Sequence, residues 1–435
     1  MKQAQVLFIV CGLLLGCSAP SAGTPTAEPL RAVPTQIPLP VLPTTVPPTA
    51  TALPPPTPLP EALSLAARQT IFREVWQVVH DNYLYEDFNG VDWDALQLEY
   101  RSRIEATAER DAFYAILSEM VGQLNDEHSR FVPPIAAEAE NISTSSMSFD
   151  VGIGVIVMPR PNSGFIQVVF PDSPAERAGL RPRDRIIAVD GRPYTVADGD
   201  LRGPLGSLVR LTVARSGMKL RDVVVKYDEV QRVILPYARR FPGDIAYLSI
   251  PTLWVNDMGE QASGALTDLV GAGALRGLII DVRANRGGWG DVLSDVLSHF
   301  VRGQVGTFYG RNYVRPLVVD ESAGPDLRRV PVVVLIDNDT ASYAEVLAAI
   351  LQLEAQAQVV GTRSAGNTET IYAYSLIDGS RLWLAQEGFR LPNGRNLEGQ
   401  GLEPDVLIDI DWTRFSEEDD PHILEALRLL GAGPK

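Results

Sequence analysis

Lysine is almost missing from this chain: among 435 residues it stands only at Lys2, Lys219, Lys226 and Lys435. Lysine and arginine together number 38 against 54 aspartates and glutamates, a formal net charge of −16. Without a basic patch such a chain cannot displace counterions from nucleic acid or hold an anionic membrane face, so neither partner is expected. Cysteine is scarcer still, with Cys11 and Cys17 alone, both close to the N-terminus. No disulfide framework can form in the body of the protein. No cysteine pair, His-Glu-x-x-His or spaced carboxylate loop is present either, so no metal or cofactor is expected. Gly152-x-Gly154 lacks the third glycine and the following helix of a dinucleotide fingerprint. The apolar run from Val6 to Leu15 falls well short of the roughly 20 residues that span a bilayer.

Lys2 followed by that run reads as an export signal. It ends in Leu14-Leu15-Gly16-Cys17, which resembles a bacterial lipobox. The resemblance implies that residues 1–17 are a lipoprotein signal peptide and that Cys17 carries the membrane-anchoring lipid; an ordinary signal peptide is the alternative. Residues 18–60 are rich in Pro, Thr and Ala, a composition that buries no core and favours extended polyproline II. At about 3.1 Å per residue this linker would hold the body on the order of 100 Å from a membrane. The expected location is the cell envelope, outside the cytoplasm.

The remaining length suits two or three globular units. Residues 61–148 carry helical stripes, Phe72, Val75, Trp76, Val79 and Tyr83 on one and Phe113, Ile116, Leu117, Met120, Val121 and Leu124 on another. Residues 149–233 change to short β-branched runs, interrupted by Ser173-Pro174-Ala175-Glu176-Arg177-Ala178-Gly179, a capped helix ending at a glycine. This order resembles a PDZ domain, in which Gly152, Ile153, Gly154 and Val155 would form the loop receiving a peptide's terminal carboxylate. Residues 234–413 alternate strands and helices as an α/β layer fold does, and 414–435 are expected as a C-terminal tail.

Three stretches of the α/β unit sit where strands end, the usual place for chemistry in such folds. Asp281-Val282-Arg283-Ala284-Asn285-Arg286-Gly287-Gly288 offers paired glycines whose backbone can approach a ligand closely. Thr340-Ala341-Ser342-Tyr343-Ala344-Glu345 opens a helix and puts a hydroxyl at its positive end; taken alone, Ser342 is also a plausible N-cap. Gly361-Thr362-Arg363-Ser364-Ala365-Gly366-Asn367 is the third.

Taken in order with Gly399-x-Gly401-x-Glu403-Pro404-Asp405, these motifs resemble the C-terminal processing (tail-specific) proteases. That family's core is a βα spiral of the crotonase and Clp-protease type, so the whole is expected as a multidomain α/β protein: helical unit, PDZ-like β domain, protease core. The resemblance implies a serine endopeptidase acting on exported proteins or peptides, with Ser342 as nucleophile and the N–H of Gly287 or Gly288, together with that of Tyr343, as oxyanion hole. The family's usual base is a lysine, and here its place is Asn367, an amide that cannot accept the serine proton.

Histidine is the next base to consider, at His80, His128, His299 and His422. His128, in Asn125-Asp126-Glu127-His128-Ser129, resembles the segment bearing the catalytic histidine of the tricorn core protease and its chlamydial relative. The matching position for their glutamate is Glu398. The resemblance thus implies a Ser342, His128 and Glu398 arrangement; as bland alternatives, His128 is a helix-terminal histidine and Glu398 a surface acid. The competing reading of the whole chain is a retired protease fold that binds a peptide or lipid.

Overall fold

The apolar stripes of the N-terminal segment fold as α1 (Leu65–Asn82), α2 (Trp93–Ala106) and α3 (Arg110–Gly122). Each starts on a side-chain cap: Ser64 accepts from the Ala67 amide, Asp92 from Ala95, and Glu109 from Asp111 and Ala112. The computed structural model describes residues 62–144, 148–321 and 324–432; the signal segment, Cys17 and the linker lie outside the described residues. After α3 the chain makes a short strand, β1 (Arg130–Val132), and helix α4 (Pro134–Thr144).

The next unit is built of β2 (Ser148–Gly152), β3 (Val155–Arg160), β4 (Ser163–Val169), helix α5 (Pro174–Arg177), β5 (Arg185–Val189), β6 (Arg192–Pro193), β7 (Leu208–Ala214), β8 (Arg221–Lys226) and β9 (Asp228–Arg232). Its main sheet runs β3-β4-β5-β7-β8 with β6 on β5, so β3 lies at an edge, while β2 pairs with β9. Pro159 in β3 fits that edge position, since proline has no N–H to give to a neighbour.

The third unit begins with β10 (Tyr237–Phe241) and β11 (Ile245–Ser249) and continues through helix α6 (Met258–Gly271), β12 (Gly277–Asp281), helix α7 (Gly290–Leu297), β13 (Gly303–Tyr309) and β14 (Val314–Val319). It ends with β15 (Val332–Ile336), helix α8 (Tyr343–Glu354), β16 (Gln358–Gly361), β17 (Thr370–Ser375), β18 (Arg381–Arg390), β19 (Val406–Leu407) and helix α9 (Pro421–Leu429). Strands β11, β12, β15, β16 and β19 are parallel neighbours in one sheet, with β10 antiparallel at its edge. Ala246, Leu248, Leu278, Ile280, Val332 and Val334 face α6, α7 and α8, whereas Tyr247, Ile279, Val333 and Leu335 face α9. Both faces are therefore covered, which is why β12 and β15 read as unbroken apolar runs. Residues 414–435, expected as a tail, instead supply the helix that seals the second face, with Ile423 and Ala426 fully buried.

A second sheet was not anticipated. β18 pairs with β13 and β17, β14 pairs with β13, and β1 from the helical segment joins β18 with Phe131 opposite Leu382. Leu382, Leu384 and Ala385 of β18 belong to the same apolar cluster as Phe72, Val75 and Leu117. The N-terminal helices thus supply most of this core, and β18 of the C-terminal half closes it.

Candidate active site

The loop after β12 is held by buried polar contacts. Asp281 pairs with Arg283 at 2.6 Å and accepts from Tyr247 at 2.7 Å; Asn285 donates to the Ile250 carbonyl at 2.8 Å. Its glycines are dictated by crowding: at φ +79°, Gly287 would put a Cβ 2.6 Å from Ser342 Cβ, and Gly288 would put one 1.9 Å from the Leu253 carbonyl carbon. The Gly287 amide donates to Asn285 Oδ1 at 2.9 Å, so in this arrangement it is already engaged.

Ser342 sits at the N-terminus of α8 with φ 56° and ψ −131°, a conformation that costs an L-residue energy and is found where the surroundings enforce it. Its N–H is shared between the Asn367 carbonyl at 2.6 Å and Glu345 Oε2 at 2.9 Å. Glu345, fully buried, also accepts from the Ser364 hydroxyl at 2.5 Å and from the amides of Gly366 at 2.7 Å and Asn367 at 3.0 Å. It thereby ties the serine turn to the third loop. Ser342 itself is half-buried, and Tyr343 follows as the first residue of α8.

His128 follows α3 on a turn in which Asp126 Oδ1 accepts from the His128 amide at 2.9 Å and Oδ2 accepts from Tyr83 at 2.7 Å. Ser129 then receives the Ala385 amide at 3.1 Å, fastening the turn to β18. The ring is buried, and its Nε2 lies 3.3 Å from Glu398 Oε1. Glu398 Oε2 accepts from the Thr368 amide at 2.5 Å and the Glu369 amide at 3.1 Å. A second carboxylate, Glu369, carries little sequence signal of its role: its Oε2 lies 3.6 Å from the same His128 Nε2 and, among the described residues, is buried without a hydrogen-bond partner, while Oε1 accepts from the Tyr85 hydroxyl. Only its place two residues past Asn367 could have pointed to it. Lys219 and Lys226 lie in the β7–β8 hairpin region, so among the described residues no lysine is at the site.

Burial pulls the His128 pKa down, but the hydrogen bond to Glu398 and the charges of Glu369, Glu398 and Asp126 outweigh it, and the net shift is upward. Burial pushes Glu398 up, yet His128 and the Thr368 amide bring it below the ordinary carboxylate value. For Glu369 burial wins over its bond from Tyr85 and the charge of His128, and its pKa is raised.

His128, Glu369 and Glu398 share a cavity of ≈ 730 Å³ with Ala341, Asn367 and Arg286. His128 and Glu398 are thus brought together, and Ser342 lies against Gly287 and next to Tyr343. The strip Asn367–Glu369 links the two groups, holding Ser342 at one end and Glu398 at the other. Among the described residues no hydrogen bond joins Ser342 to His128.

Of the expected loop, Gly152 ends β2 and Val155 opens β3, with Ile153 and Gly154 between them and Gly154 at φ +86° against Ser173. Ile153 and Val155 point into their unit's core, and on β3 the Val157 amide is already taken by Asp200 Oδ1 at 2.9 Å.

Residues 244–408 match the model of Peptidase family S41, residues 65–122 that of the Tricorn protease C1 domain, and residues 165–215 that of the PDZ domain. The carboxyl-terminal-processing protease of Synechocystis sp. is 27% identical over 391 residues, spanning 86% of this chain and 89% of the relative. The carboxy-terminal processing protease CtpB of Bacillus subtilis is 29% identical over 307 residues, 66% of this chain and 61% of the relative. Among solved structures, the photosystem II D1 C-terminal processing protease superposes with a TM-score of 0.58 at 25% identity, covering 85% of this chain and 99% of that one. The helical segment, the PDZ unit and the α/β core agree with these likenesses: the chain is a serine protease whose residues 244–408 form a Peptidase family S41 domain, and it is similar over most of its length to C-terminal processing proteases.

Proposed function

We propose that this serine protease works through Ser342, His128 and Glu398 in place of a serine and lysine pair. Ser342 attacks the scissile carbonyl, His128 takes its proton and later gives it to the leaving amine, and Glu398 orients the imidazole and stabilises its cation. The developing oxyanion is received by backbone N–H groups at Gly288 and Tyr343; the Gly287 amide, spent on Asn285, is the weaker choice of the glycine pair. The observation that carries the reading is the His128–Glu398 contact at 3.3 Å, made by residues 270 positions apart and lining one cavity with the Asn367 strip that holds Ser342. Proton transfer requires His128 and Ser342 to come into contact, and substrate binding is assigned that closing step.

The substrates we assign are exported proteins, captured by their C-terminal tails at Gly152–Val155 and the edge of β3. The chain itself would be held outside the cytoplasm by a lipid on Cys17. Among the described residues no helix is long and apolar enough to cross a membrane, so any anchoring rests on that N-terminal lipid in this reading. The test is labelling with a fluorophosphonate probe and mapping the adduct by mass spectrometry. Modification at Ser342 that disappears in His128→Ala is expected; full peptidase activity in Ser342→Ala would sink the proposal.

A further inference from the structure

The glycine loop that touches Ser342 also borders a second cavity, of ≈ 560 Å³, whose walls include Trp254, Trp289 and Trp383. The three indoles come from different places: the loop after β11, the N-cap of α7, and β18. Trp254 meets Trp289 edge-on at 4.8 Å and Trp383 edge-on at 6.1 Å between ring centroids. Their orientation is fixed: Trp289 Nε1 donates to the Trp254 carbonyl at 2.8 Å, and Trp383 Nε1 donates to Glu140 at 2.9 Å. With two of the indole N–H groups satisfied inside the chain, the half-buried Trp254 and Trp289 offer the cavity apolar ring surface, while Trp383 is buried at its back with Arg130 and Arg381 over its ring at 5.3 and 5.6 Å from the centroid.

Two continuities say what fills this space. Trp289 is two residues past Gly287, the glycine whose missing Cβ leaves room for Ser342 Oγ. At the other side the cavity is lined by Ile156–Pro159 of β3, the edge strand of the PDZ unit. A polypeptide laid along that edge and led to Ser342 passes the tryptophans on its way. We infer that the three-tryptophan cavity is the subsite for a bulky apolar side chain, aromatic or large aliphatic, of the substrate segment beside the scissile bond. The inference rests on Ser342 as nucleophile and adds the substrate class that the site selects.

The test uses the full body with Ser342→Ala, so that binding is read without turnover, and fluorescent peptides that differ only in Phe or Ala at one position scanned along the sequence. At one position Phe should bind at least about tenfold more tightly than Ala, as expected for filling an apolar pocket. Adding Trp289→Ala should cut that preference to about threefold or less, and Trp254→Leu, a milder change, should reduce it in the same direction. Equal preference with and without the tryptophan substitutions overturns the subsite. Wild-type fluorophosphonate labelling separates the two readings. Labelling at Ser342 with no Phe preference discards the subsite alone, whereas a Trp-dependent preference with no labelling discards the nucleophile and keeps the pocket.

Discussion

Two carboxylates share one imidazole nitrogen, and that sharing governs how His128 titrates. In the proposed mechanism His128 must be neutral to take the serine proton, so its raised pKa means that activity should fall as pH drops through that raised value. Glu398, Glu369 and Asp126 all face the ring, and Tyr85 faces Glu369. Glu369→Gln removes one charge that holds the imidazolium; the acid limb of kcat/KM should move to lower pH, read from a pH–rate profile. A Glu369 that merely fills space would leave the limb in place. Glu398→Gln removes orientation as well as charge, and its kcat should fall by roughly 10²- to 10⁴-fold. Glu345 acts on the serine side. Glu345→Ala strips an acceptor from four buried or half-buried donors and should cost about 3–5 kcal/mol in denaturant unfolding, since each unsatisfied group costs about 1–3 kcal/mol.

At the level of elements, the loops after β12 and β15 were legible because strand-then-glycine and strand-then-serine junctions carry their own local signals. The pairing of β1 with β18 carries none: three residues after a helix, matched to a strand some 250 positions on, leave no periodicity to read. In the antiparallel sheet, β13–β14 and β17–β18 are local hairpins, and it is the pairing of β13 with the distant β18 that carries no local signal; the nine residues of α9 are too few to announce a helix. Because α1 to α3 share their core with β18, Leu384→Ala should destabilise helices and protease core together by about 2–5 kcal/mol in a single unfolding transition. Two separate transitions, followed by far-ultraviolet dichroism and tryptophan emission, would contradict the shared core. Gly287→Ala meets both a left-handed backbone and Ser342 Cβ at 2.6 Å, and it should reduce turnover by at least about 100-fold with the secondary structure kept.

Across the whole molecule, the order of helical, PDZ and α/β units was plain from composition and motif order, whereas the second acid on His128 was not, since burial rather than spacing gives Glu369 its role. The PDZ edge has its own occupant, Asp200 on the Val157 amide. Asp200→Ala should free that donor and raise affinity for a C-terminal peptide several-fold in anisotropy titrations. The seam between β1 and β18 has a broader consequence. His128 precedes the PDZ unit and Ser342 follows it, so in the proposed mechanism base and nucleophile come from opposite sides of that unit and are assembled only by folding, much as two subunits share a site. A fragment carrying α1 to β1 and a fragment carrying the remainder behave in this view as halves of a complementation pair, each inert alone. Proteolytic activity in this view reports that the chain has been made and folded across the β1–β18 seam.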